Sequence, residues 1–258
     1  MSALLARLVD DAALLPPGHA PMDEALPAYR EAAQDPGVGR FLCPASWFPQ
    51  LRTHLVPEDL LDLVLVADIG IDEVPKALDA MRAEPRVRPA SVRLALPEDA
   101  DQARAAAVTL ARLPSGVPAH IEVRRSPGWR DALDRIAAAR AHGAPLGADF
   151  RLDGPASATA AFISACAERD LPITCSGPVR SLPTVLLATA QAVAGDGDVQ
   201  RTLGRRDVTG VAADLGSLTG DATQAARRLL TAFAVPGLGT ALSTLDLIRK
   251  APFSTRVG

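Results

Sequence analysis

Six short apolar or alternating segments recur along the chain and constrain its fold more than any other feature. They are RFLCPAS (40–46), LDLVLVADIG (61–70), ASVRLALP (90–97), AHIEVRRS (119–126), GADFRLDG (147–154) and LPITCSGP (171–178). Helical patterns lie between them, such as PEDADQARAAAVTLARL, GWRDALDRIAAARAHG and PASATAAFISACAERD. Strand, helix, strand at an interval of roughly 25 to 30 residues is the pattern of repeated βα units on a parallel sheet. Eight such units make a barrel of about 250 residues, and the chain has 258. The expected class is therefore α/β, a single parallel (β/α)8 TIM-like barrel. Its last two units look irregular: DVTGVAAD (207–214) and TAFAVPG (231–237) are the candidates for the seventh and eighth strands. Residues 1–258 read as one domain, with 1–38 as an N-terminal helical extension that covers the barrel bottom. A doubly wound open sheet stays open as an alternative, although no Gly-rich dinucleotide fingerprint follows the first of these strands.

Composition narrows the partners. The net charge of −3 and the single Tyr and two Trp give no basic, aromatic-studded surface for nucleic acid. No run reaches the roughly 18 apolar residues of a membrane helix. The opening MSALLARLVDDAALLPPG is interrupted by Arg7, Asp10 and Asp11 and lacks the core of a signal peptide. The expectation is a cytoplasmic protein with no membrane and no nucleic-acid partner; association into a homo-oligomer stays open. Cys43, Cys166 and Cys175 are too few and too scattered for a disulfide framework or a zinc cluster. Lys76 and Lys250 are the only lysines among 27 basic residues. Amine-based covalent chemistry is thus nearly closed to this chain, whereas arginine suits the holding of anions.

Side chains alternate across a strand, and in a helix-wrapped barrel the outward face is apolar. Val92, Leu94 and Leu96 then face out and Arg93 in; Ile121 and Val123 face out, leaving His120, Glu122 and Arg124 inside. Phe150 and Leu152 face out against Asp149, Arg151 and Asp153. Ile173 and Cys175 face out against Thr174 and Ser176. Charges removed from water cost several kcal/mol unless compensated, so this cluster reads either as a structural Arg–carboxylate network or as an anion-ready pocket. Barrel chemistry sits at the carboxyl ends of the strands, which favours Arg124, Asp153, Ser176 and Asp68 as site residues.

Three chemistries follow from these residue types. Glu122 supported by His120 suits general acid/base work, with Arg151 and Arg124 clamping a small anionic metabolite and Asp149 and Asp153 orienting the arginines or taking a proton. Arg93, Thr174 and Ser176 would complete the binding side, for a reaction of lyase or isomerase type that needs no cofactor. His120 and Glu122 with Asp149 or Asp153 could instead ligate a divalent metal for hydrolysis, but the neighbouring arginines compete for those carboxylates, and no metal is expected. The third reading is a non-catalytic small-molecule-binding or scaffold barrel. Outside the cluster, Asp10 and Asp11 suit helix capping, and His19 belongs to a structured loop. The glycine-containing GPVR and VPGLGTALSTL each suit a helix N-terminus.

LVDDAALLPPGHAPMDEAL, HIEV, GADFRLDG and ARRLLTAFAVPG together resemble a family of uncharacterised actinobacterial proteins of (β/α)-barrel type. Its members tend to carry Lys-Leu-Arg-x-Gly-Gly at 149–154 and Lys-x-Thr-x-Gly-x-His-His at the next strand. This chain keeps Arg151, Gly154 and Thr174, has Asp149 in place of the first lysine, and lacks the second lysine and both histidines. The resemblance implies a barrel with altered chemistry, or one that has lost catalysis.

Overall fold

In a computed structural model of the chain, residues 2–250 are described. Eight parallel strands close on themselves in sequence order. They are β1 (Val9–Asp11), β2 (Val38–Pro44), β3 (Leu61–Val66), β4 (Val87–Ala95), β5 (Ala119–Glu122), β6 (Leu146–Arg151), β7 (Ile173–Ser176) and β8 (Leu230–Val235). The final pairing joins Val9 to Phe233 and Asp11 to Val235, so the first and last strands complete the ring.

Two expectations are corrected. The stretch anticipated as a helical extension carries β1, and Asp10 and Asp11 lie within that strand rather than at a helix cap. The stretch 207–214 is helical, in Val208–Gly216. Its buried Val211, Ala212 and Leu215 recur at one-turn spacing and turn a single face inward. The β7–β8 crossover carries this helix with Leu182–Ala194, Val199–Leu203 and Gly220–Leu229, which is where the regular repeat breaks down.

The alternation in β3 shows how the layers separate. Leu61, Leu63 and Leu65 belong to the large core between strands and helices. Val64 belongs to a second, separate cluster with Ala12, Leu42 and Ala234, against which Leu15, Val66 and Ala90 pack. Strand periodicity places this smaller cluster inside the ring. Outside, Phe150 of β6 lies 4.8 Å from Phe162, and Phe162 stacks on Trp129 at 5.8 Å. These contacts fix the helices Trp129–Ala141 and Ala156–Ala167 against β6, each pair adding about 0.5–1.5 kcal/mol beyond area burial. Toward the amino ends of the strands the interior is sealed by an ion pair: Arg40 Nη2 lies 2.8 Å from Asp10 Oδ2, with Asp10 fully buried.

Candidate functional site

At the carboxyl ends of the strands the ring opens into a cavity of about 660 Å³. Its floor is built by register. Glu122, the last residue of β5, pairs with Asp149 of β6; Asp149 pairs with Thr174 of β7, and Arg151 with Ser176. Arg93, one pair of residues deeper, is level with His120. Because these positions share one strand face, Arg93, His120, Glu122, Asp149, Arg151, Thr174 and Ser176 all point inward.

Glu122 is the meeting point. Its Oε1 lies 2.9 Å from Arg124 Nη1 and 3.0 Å from Arg151 Nε. Both are ion-pair distances, so this one oxygen is held between two guanidiniums. Burial pushes the Glu122 carboxyl above its ordinary value and the charge of Asp149 pushes it further; Arg151 and Arg124 pull it back without cancelling the rise. Asp149 is raised by burial too, against the pull of Arg93 and of Thr174. Thr174 Oγ1 donates to Asp149 Oδ1 at 2.6 Å, and Arg93 Nη2 stands 3.6 Å from the same oxygen with no hydrogen-bond partner of its own.

The other anticipated residues divide. His120 lies beneath the floor, outside the cavity lining. Burial, helped by the charges of Arg93, Arg40 and Arg140, lowers its imidazole to about 3. The ring therefore stays neutral near pH 7 and does not take up a second proton there. Arg124 and Asp153 lie beyond the strand ends, on loops, because β5 stops at Glu122 and β6 at Arg151. Arg124 still reaches Glu122, whereas Asp153 is an exposed rim residue held by Arg125 at 2.6 Å and orients neither Arg124 nor Arg151. Asp68 lines the cavity from the loop after β3. Its carboxylate accepts the Ser46 N–H at 3.0 Å and, on its other oxygen, the Ser46 hydroxyl. Cys175 is buried in the outer core, its thiol raised well above the ordinary value by burial.

Several lining residues escaped the sequence reading. Leu14, Leu15, Pro16, Pro17 and His19, in the loop after β1, form one wall, with Trp47 beside them. Recognising VDD as a strand would have placed that loop at the carboxyl rim. Gln102 was also missed: its Nε2 donates to Pro97 and Ala100 carbonyls while its Oε1 accepts the Arg124 N–H at 2.9 Å, anchoring the loop that carries Arg124.

No protein-family model matches the chain, and no curated protein matches it. Among solved structures it is similar to triosephosphate isomerase from Bartonella henselae, with 12% identity over 95% of this chain and 100% of that one and a TM-score of 0.41. The barrel itself is given by the strand pairing. Among the described residues, no group of three or more His, Cys, Asp and Glu side chains converges as metal ligands, and no helix is long and apolar enough to cross a membrane.

Proposed function

We propose that this chain is an enzyme that binds a small anionic metabolite in the barrel mouth and acts on it by acid/base chemistry, of lyase or isomerase type. The supporting observation is Glu122: a buried, proton-avid carboxyl on the cavity floor, flanked by two guanidiniums. A general acid or base works best when its affinity for the proton is tuned toward the operating pH, and burial provides that tuning. Arg151 is half exposed and lines the cavity, so its guanidinium can turn to an incoming anion. As it does so it withdraws positive charge from Glu122. The carboxylate becomes a stronger base just as substrate arrives, and proton abstraction next to a carbonyl follows.

The test is hydrogen–deuterium exchange at carbon in a panel of small keto and hydroxy acids, read by proton NMR with the unsubstituted chain and with Glu122→Gln. Exchange should fall by about 10²–10⁴-fold in the variant. Equal exchange by both proteins would remove Glu122 from the chemistry.

A binding barrel without turnover is the second reading. It is favoured by the mutual compensation on the floor, where Arg124 and Arg151 meet Glu122 and Thr174 meets Asp149 with no substrate needed. In that case the acids would bind without exchanging hydrogen.

A further inference from the structure

The cavity is divided lengthwise by chemistry. Its charged side comes from β4 to β7. The opposite side, formed by β8, β1, β2, β3 and the loops that follow them, is mostly apolar: Ala12, Leu15, Trp47, Val66, Ala234 and Pro236 line it, with His19 and Asp68 as its polar members. This wall continues inward as the buried cluster of Leu42 and Val64 with Ala12 and Ala234. Water against such a wall gains little, and apolar surface of a ligand gains much by replacing it.

The charged side also has a count. Arg93, Arg151 and, through Glu122, Arg124 stand against Glu122 and Asp149, while the lining Asp153 is matched by Arg125, so this side keeps an excess of one positive charge with the acids ionised. One carboxylate neutralises it. Asp68, held by Ser46 at another part of the mouth, disfavours a second negative group on the same ligand. Arg93 Nη2, buried and without a hydrogen-bond partner, marks where donor capacity is left over.

We propose that the ligand is an amphiphilic monocarboxylic acid, its carboxylate on the Arg151 side and its aliphatic or aryl body against Leu15, Trp47 and Val66. This rests on the anionic-metabolite reading of the same site and names the substrate class. A compact, strongly hydrated anion such as a dicarboxylate would leave the apolar wall uncovered and bring a negative group toward Asp68.

The chain holds two tryptophans, and only Trp47 lines the cavity; Trp129 stacks on Phe162 outside the barrel. Trp129→Phe therefore leaves Trp47 as the sole tryptophan reporter. Acetate, butyrate, hexanoate and succinate are titrated against its fluorescence at constant ionic strength. Affinity should rise about fourfold per added methylene, the equivalent of ~0.8 kcal/mol for each buried CH₂, with succinate weaker than butyrate. Leu15→Asn should weaken hexanoate about tenfold and leave acetate unchanged, and Arg151→Ala should weaken both. Thermal denaturation of the unsubstituted chain with the same acids should show the same ranking, which guards against a variant that folds poorly. Arg151-dependent binding that does not change with chain length would overturn the amphiphile and leave the anion site standing. Absence of binding by all four acids would overturn both.

Discussion

Glu122 and Asp149 lie directly opposite one another on β5 and β6, two inward carboxyls with raised proton affinity on one cavity floor. Each makes the other's ionisation harder, and the surrounding arginines keep both from remaining protonated at every pH. Asp149→Asn removes a charge that raises Glu122. The Glu122 carboxyl, followed by carbon NMR in labelled protein, should then titrate at lower pH than in the unsubstituted chain. An unmoved or higher titration point would mean that burial alone sets its proton affinity.

Asp11 gives a sign-definite effect on stability. It is 2% exposed, accepts one hydrogen bond from the Ala13 N–H at 2.8 Å, and is raised by burial to about 6 from an ordinary 3.8. Between those values the folded state holds a proton that the unfolded chain has released. Stability therefore falls as pH rises from about 4 to about 6, by on the order of 3 kcal/mol. Asp11→Asn keeps an acceptor for Ala13 and should abolish this decline, raising stability at pH 7 while leaving pH 4 nearly unchanged. Urea denaturation at the two pH values makes the comparison.

His120 works in the opposite direction. Its ring is lowered to about 3 from an ordinary 6.5, so the unfolded chain binds a proton that the folded one refuses. Its share of stability is intact above pH 6.5 and is lost as pH falls toward 3, a total on the order of 5 kcal/mol. His120→Gln should flatten the acid limb of the stability profile relative to the unsubstituted chain. An identical acid limb in both proteins would show that the imidazole is not held neutral.

Gly147 permits the close approach of two neighbours. A Cβ there would stand 2.7 Å from His120 Cδ2 and 2.7 Å from the Pro172 carbonyl oxygen. The side chain can shift, but the backbone oxygen of a barrel strand cannot do so cheaply. Gly147→Ala should cost about 1–3 kcal/mol, the usual range for overpacking, seen as a lower denaturation midpoint at unchanged slope. A stability-neutral alanine would show a looser interior than the packing implies.

The inward face and the six strands from β2 to β7 were legible because burial on both sides of a parallel strand leaves long apolar or alternating runs, whereas β8 stood only as a candidate within 231–237. LDLVLV and GADFRL state their geometry almost residue by residue. β1 was hidden because VDD is three residues long and two of them are acids, a composition that intrinsic strand preference disfavours. Tertiary pairing overrides that preference: Asp10 is neutralised across the interior by Arg40, which stands far away in sequence. The helix Val208–Gly216 was misjudged for the converse reason, since a short apolar run fits either periodicity. Within the site, alternation found the floor residues and failed for Arg124 and Asp153, which follow the strand ends. The part of the apolar wall built by Ala12 and Leu15 was invisible because it comes from the loop after the missed strand.

Closure has a consequence for synthesis. β1 finds its second neighbour only in β8, more than two hundred residues later. Until Leu230–Val235 leaves the ribosome, the nascent sheet therefore presents two raw edges, at β1 and β7, each able to recruit a stray strand. A chain arrested after the helix Gly220–Leu229 would carry nearly all of its core yet remain an open, self-adhesive ribbon, so the last six-residue strand acts as the clasp that makes the nearly finished product safe from aggregation.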